Sequence, residues 1–115
     1  MAFNFYMIKK YRVRKNQEFA KIIAKKKSVV SESFVVYFEK RKENYSRVGI
    51  SVSKKLGDAV TRNKIKRQVR MMLADFYDFE ANSVDLIIIV RNRYFNKTFN
   101  DNLLELENLV KKAII

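Results

Sequence analysis

Between Lys54 and Arg70 the chain places seven basic side chains (54, 55, 62, 64, 66, 67 and 70) against one acid, Asp58. Gly57 breaks the chain inside this block, and the residues after it follow helical spacing. Ile65, Val69, Met72, Leu73 and Phe76 form an apolar seam, predicting a helix over about 59 to 78 with Asp58 as its N-cap. Projected at about 100° per residue, Arg62, Lys66 and Arg70 run directly beside that seam, with Asn63 and Arg67 further round. The seam must bury itself on other elements, so the cations border the contact and form the wall of a groove. A helix this positively charged repels itself unless a polyanion screens it, which points to RNA or DNA.

Charge along the rest of the chain agrees. Residues 1–70 hold 20 of the 25 Lys/Arg and 5 of the 12 Asp/Glu. The remaining residues are slightly acidic, so the expected contact surface is built mainly from the first part of the chain. A basic, well-solvated protein with no such partner would spread its cations more evenly. Cysteine and histidine are both absent. That excludes disulfides and zinc sites made from those residues, and removes the usual general base near neutral pH. No segment reaches the ~18 apolar residues of a membrane span. The N-terminus sets apolar residues before basic ones, the reverse of a secretory signal. The expectation is a cytoplasmic protein with no membrane partner.

At 115 residues one domain spanning 1–115 is expected, with aliphatic and aromatic content sufficient for a core. Asn16 is read as the N-cap of a short helix to about Lys26, with Phe19, Ile22 and Ile23 on its apolar stripe. Phe34–Phe38 is β-rich and apolar on both faces, so it should be a covered strand. Val48, Ile50 and Val52 alternate with Gly49, Ser51 and Ser53, and the polar segment 40–46 between these two runs predicts a hairpin. Val84–Val90 reads as a buried strand, and a last helix over about 97 to 113 carries Leu103, Leu106, Leu109 and Val110 on one face. The order is α-β-β-α-β-α. Asp75, Asp78 and Glu80 lie late on the basic helix and are read as a surface turn, not as metal ligands.

The block Lys54-Lys55-Leu56-Gly57-Asp58-Ala59-Val60, continued by Arg62-Asn63-Lys64, Lys66-Arg67 and Arg70 and preceded by Arg47–Ser53, resembles the signature of the bacterial ribonuclease P protein subunit. The resemblance covers nearly the whole chain, in the right order of elements. It implies an α+β two-layer sandwich similar to the second domain of ribosomal protein S5, with a left-handed βαβ crossover. It also implies a noncatalytic subunit of an endoribonuclease. A catalytic RNA with its own Mg²⁺ ions removes the 5′ leader of precursor tRNA, giving the mature tRNA 5′ end. On this resemblance the protein would have no catalytic residue and no metal site of its own, and no stable protein partner is implied. Lys54, Lys55, Arg62, Asn63, Lys64, Lys66, Arg67 and Arg70 would contact RNA, and Phe19, Ile23 and Tyr37 would line a cleft for the leader.

The residue types suit those roles. Arginine binds an oxyanion through two parallel hydrogen bonds, Asn63 both donates and accepts, and flat rings stack unpaired bases without reading sequence. Core packing is the competing role for Phe19 and Tyr37. Three positions depart from the family pattern: Asp58 for Asn, Ile23 for a frequent aromatic, and Lys27 for a common Gly. Arg91 and Arg93 fit either an RNA contact or a solvated surface. Two other functions stay open on residues alone. A protein nuclease would need paired carboxylates holding Mg²⁺, and none lies within the basic region; an architectural or ribosomal RNA-binding protein would need only the charge.

Overall fold

A computed structural model describes residues 9–114. The N-terminal segment read against a secretory signal falls outside them, at residues 1–8. The helices are α1 (Asn16–Ala24), α2 (Ala59–Phe76) and α3 (Phe99–Ile114). The strands are β1 (Ser28–Val30), β2 (Phe34–Lys40), β3 (Val48–Val52) and β4 (Val84–Val90). They form one mixed sheet in the order β1-β2-β4-β3. Strands β1/β2 and β2/β4 are antiparallel, and β3/β4 is parallel.

This corrects the strand pairing. β2 and β3 do not form a hairpin: β4 lies between them and pairs with both. The reason is burial. Leu86, Ile87 and Ile88 are all fully buried, and a strand apolar on both faces belongs in the middle of a sheet covered on both sides. The hairpin that does form joins β1 to β2 through residues 31–33, and β1 adds a strand to the expected order. β3, joined to its parallel neighbour through α2, becomes an edge strand.

Alternation sorts the side chains into two clusters. Phe34, Val36, Val48, Ile50, Val52, Leu86, Ile88 and Val90 point to one face. There they meet Ile65, Val69, Met72 and Leu73 of α2 and Leu106, Leu109 and Val110 of α3. Ile87 faces the other side, where Ile22, Phe19 and Ile23 of α1 pack with Val13 and Tyr37. Helices therefore lie on both faces, and α1 makes a partial third layer that the two-layer expectation lacked. Arg47 ties this layer down. Its guanidinium is 2.9 Å from Glu18 of α1 and 3.3 Å from Asp85 of β4, and the backbone N–H of Arg47 donates to Asp85 Oδ1. The hydrogen bond from Arg47 holds the Glu18 carboxyl below its usual range.

The helix ends follow local chemistry. Asp58 caps α2, its Oδ1 accepting from Thr61 N–H at 2.9 Å. Gly57 before it has φ +150°, and a Cβ there would lie 2.9 Å from Thr61 Cβ, so glycine alone fits this entry. α1 differs from expectation: its cap position is Lys15, Asn16 is already helical, and no side chain caps the start. The turn after α1 passes through Lys26 at φ +59°, one residue before the departure noted at Lys27. Asp78 accepts from Glu80 N–H and Ala81 N–H, so Asp78 and Glu80 lie in a turn as expected, whereas Asp75 is still within α2. Among the described residues, no helix is long and apolar enough to cross a membrane.

Candidate nucleic-acid interface

The cations of α2 sort by their angle from its buried seam. Arg62, Lys66 and Arg70 are half-buried along one flank, Asn63 and Arg67 are exposed on the outer face, and Lys64 is exposed towards the other flank. None of these side chains, nor Lys54 or Lys55, enters any of the salt bridges among the described residues. Arg62 is held by one internal bond, its Nε donating to Gly57 O at 3.2 Å, which leaves its terminal nitrogens free for a ligand. Lys54 and Lys55 lie exposed on a 3-10 turn (Lys54–Leu56) whose start Ser53 caps by accepting from Lys55 N–H.

The half-buried flank forms one wall of a groove of about 590 Å³ that wraps the open edge of β3. Lys66 and Arg70 stand on the α2 side; Asn16, Phe19, Ala20 and Ile23 stand on the α1 side; Ser51 lies on the floor. Arg12 and Arg14 close one end. They sit on an extended segment that runs parallel to β3, pinned by Val13 N–H donating to Val48 O at 3.2 Å. Burial holds the Arg70 guanidinium below the ordinary arginine value, and the charge of Arg12 adds to this. Two like charges brought together at a half-buried wall mark a place where an anion is favoured.

Phe19 reaches the groove because of Gly49. A Cβ at Gly49 would lie 2.6 Å from Phe19 Cζ and 2.8 Å from Ile87 Cδ1, so the missing side chain is what lets the ring settle on β3. Ile23 also lines the groove, whereas Tyr37 does not. Tyr37 packs half-buried beneath α1, two strands away from β3. Arg91 is turned back to the protein, donating to Ser31 O at 2.6 Å, and Arg93 pairs with Glu32 at 3.6 Å. Arg12 and Arg14 escaped the sequence reading, although Tyr11-Arg12-Val13-Arg14 carries the apolar/basic alternation of an extended segment with one buried side.

A strip of cations beside an aromatic ring, open at a strand edge, defines a small basic α+β protein with a strongly cationic groove. The model of the family described as Ribonuclease P matches residues 7–114. The ribonuclease P protein component of Mesoplasma florum is 48% identical over 103 residues, covering 89% of this chain and 94% of its own. That of Bacillus cereus is 39% identical over 110 residues, covering 95% and 89%. A structure of a Staphylococcus aureus RNase P protein mutant with defective mRNA degradation activity superposes with TM-score 0.81 at 40% identity, covering 98% of this chain and 96% of that one. The Thermotoga maritima RNase P protein gives 0.76 at 33%, covering 88% and 96%. The chain belongs to the bacterial ribonuclease P protein component family. It is a component of the ribonuclease P holoenzyme, with tRNA processing as the implied role, and membership implies association with the RNase P RNA.

Proposed function

We propose that the chain holds the RNase P RNA on the exposed face of α2 and the 5′ leader of precursor tRNA in the groove beside β3. Cleavage is left to the RNA and its Mg²⁺ ions, in the cytoplasm. The observation that carries this reading is the groove itself. Lys66 and Arg70 face Phe19 across an open strand edge, so a single strand lying there meets phosphate partners on one wall and a stacking ring on the other. Asn63, Lys64 and Arg67, with Lys54 and Lys55, offer a second, outward-facing set of contacts, and the terminal nitrogens of half-buried Arg62 add to it from the flank. Ile23 contributes apolar wall without stacking, and Tyr37 supports α1 from below. Family membership likewise favours a left-handed β3–α2–β4 crossover and the likeness to the second domain of ribosomal protein S5.

The Mg²⁺ belongs to the RNA in this account. Among the described residues no three acidic side chains group to hold a metal, and the chain offers neither His nor Cys. The description of the S. aureus mutant favours a second reading, in which the protein also takes part in mRNA degradation. Incubating this chain with mRNA and Mg²⁺, with and without the RNase P RNA, separates a cleaving protein from one that only binds.

The leader assignment is tested with Lys66→Gln/Arg70→Gln in the reconstituted holoenzyme. Each phosphate contact to a single strand contributes about 0.7 to the log–log salt slope, so losing two flattens it by about 1.4. Affinity for a precursor tRNA with a long leader should fall about 25-fold at 0.1 M salt and only about threefold at 0.5 M. A precursor with no leader should bind equally to both proteins. An equal loss for both substrates would refute the placement of the leader.

A further inference from the structure

α2 has a second flank, and a second groove lies along it. We propose that this groove is a pocket for one unpaired nucleobase of the bound RNA, with Phe95 and Phe99 as its stacking walls. It has a volume of about 300 Å³ and opens between α2, the 3-10 turn Asn92–Asn96 and the start of α3. The inference rests on the reading of α2 as an RNA-binding helix, and adds to it Phe95, Phe99 and Asn102 from outside the basic block.

Three independent features converge here. First, Phe95 and Phe99 are 51% and 37% exposed, two large rings left in water at the mouth of one groove. Neither is needed to fill the core, because Tyr94 between β4 and α2 already does so. Second, the floor holds Asn102, which is 1% exposed. Its Nδ2 donates to Tyr94 O at 3.0 Å, while its Oδ1 is buried and accepts no hydrogen bond from the protein. A buried amide oxygen with unused lone pairs calls for a donor, and the N–H groups on a base edge are donors. Third, Gln68 accepts from Tyr94 O–H at 2.7 Å through Oε1, which orients its amide and leaves Nε2 to donate. Apolar walls with one buried acceptor and one oriented donor match a heterocyclic base better than an aliphatic side chain.

The charge favours the same occupant. Lys64 lines the groove and enters no salt bridge among the described residues, so a phosphate attached to the base meets a free cation. The groove is also continuous with the outer face of α2, where Asn63 and Arg67 stand exposed. RNA lying on that face needs only to turn one base inward to reach Phe95. A second copy of this chain would instead bring another strongly basic surface against Lys64.

The experiment measures binding of the full chain to the RNase P RNA, comparing wild type with Phe95→Ala, Phe99→Ala and the double variant. Both rings are exposed, so the variants should keep the wild-type unfolding midpoint. Leu104→Ala, exposed on α3 outside this groove, is the control. The double variant is expected to bind about fivefold to 100-fold more weakly. Its salt slope should be unchanged, Phe95→Tyr should restore affinity, and the control should bind normally. Adding AMP or CMP to the ¹⁵N-labelled protein should shift the Asn102 and Gln68 side-chain amide signals. RNA affinity unchanged in the double variant overturns the proposal, as does a wild-type dimer that the double variant converts to monomer without any loss of RNA binding. Arg62→Glu/Arg67→Glu separates the two claims. If that variant loses RNA while the phenylalanine variants do not, the base pocket alone falls; if it too binds normally, the RNA-binding reading of α2 falls with it.

Discussion

Replacing Gly49 by alanine sets a methyl group 2.6 Å from Phe19 Cζ and 2.8 Å from Ile87 Cδ1. Ile87 is fully buried in the central strand and has nowhere to go. Phe19 is half-buried and borders the groove, so the ring must lift away from β3. Overpacking of this kind costs about 1–3 kcal/mol, while alanine in place of glycine in a strand returns about 0.5–1 kcal/mol of chain entropy. The net expectation is a destabilisation of about 1–2 kcal/mol. For a chain of this size that is a Tm lowered by roughly 4–10 °C. The lifted ring should also weaken binding of leader-bearing precursor tRNA to the holoenzyme, without altering assembly with the RNA. Phe19→Leu/Gly49→Ala isolates the contact: leucine removes the colliding ring edge, so the double variant should be more stable than the sum of the single changes by at least about 1 kcal/mol. Strict additivity in thermal unfolding would refute the close approach of Phe19 to β3, and with it the route by which the ring reaches the groove.

Two further outcomes follow from the caps and ion pairs. Glu18 has its folded pKa depressed by Arg47, so it contributes stability that is present above the usual value of 4.5 and lost as pH falls through the lower, folded value. Unfolding midpoints measured from pH 6 to 3 should drop for the wild type, and Glu18→Gln should be less stable at pH 6 with a shallower drop. Asp58→Asn keeps a cap acceptor for Thr61 N–H and removes an acid from the basic block. Stability should change by less than about 0.5 kcal/mol, and affinity for the RNase P RNA at low salt should rise by up to about fivefold.

The cationic stripe was legible because helical periodicity and charge coincide on one element. Ile65, Val69, Met72 and Leu73 announced the seam, and the angles of Arg62, Lys66 and Arg70 then followed from geometry alone. Sheet order was less legible. β2 and β3 are consecutive and joined by a polar loop, which reads as a hairpin; only the tertiary competition to cover Ile87 and Ile88 on both faces inserts β4 between them. β1 is three residues long, with Ser28 and Val30 exposed, and carries too little pattern to announce itself. Asn16 looked like a cap because its side chain suits one, but the chain enters α1 from the extended Arg12–Arg14 segment, which sets the cap at Lys15. The groove needed the fold: Phe19, Ser51 and Arg70 are far apart in sequence and meet only at the free edge of β3. Tyr37 likewise joins Phe19 and Ile23 only in the folded protein, packing half-buried between the sheet and α1 without lining the groove at β3.

Charge reversal on α2 bears most directly on the claim that this helix exists to hold RNA. Arg62→Glu/Arg67→Glu changes two side chains that make no salt bridge among the described residues and lie off the buried seam; only the Arg62 hydrogen bond to Gly57 O is lost, so the fold should survive. Titrating each protein into the RNase P RNA across a range of salt should give the wild type a log–log slope of roughly −4, as for about six single-strand phosphate contacts. The variant should bind at least about tenfold more weakly at 0.1 M salt, with a shallower slope and a higher Mg²⁺ requirement for cleavage. Equal affinity and equal slopes would contradict the account.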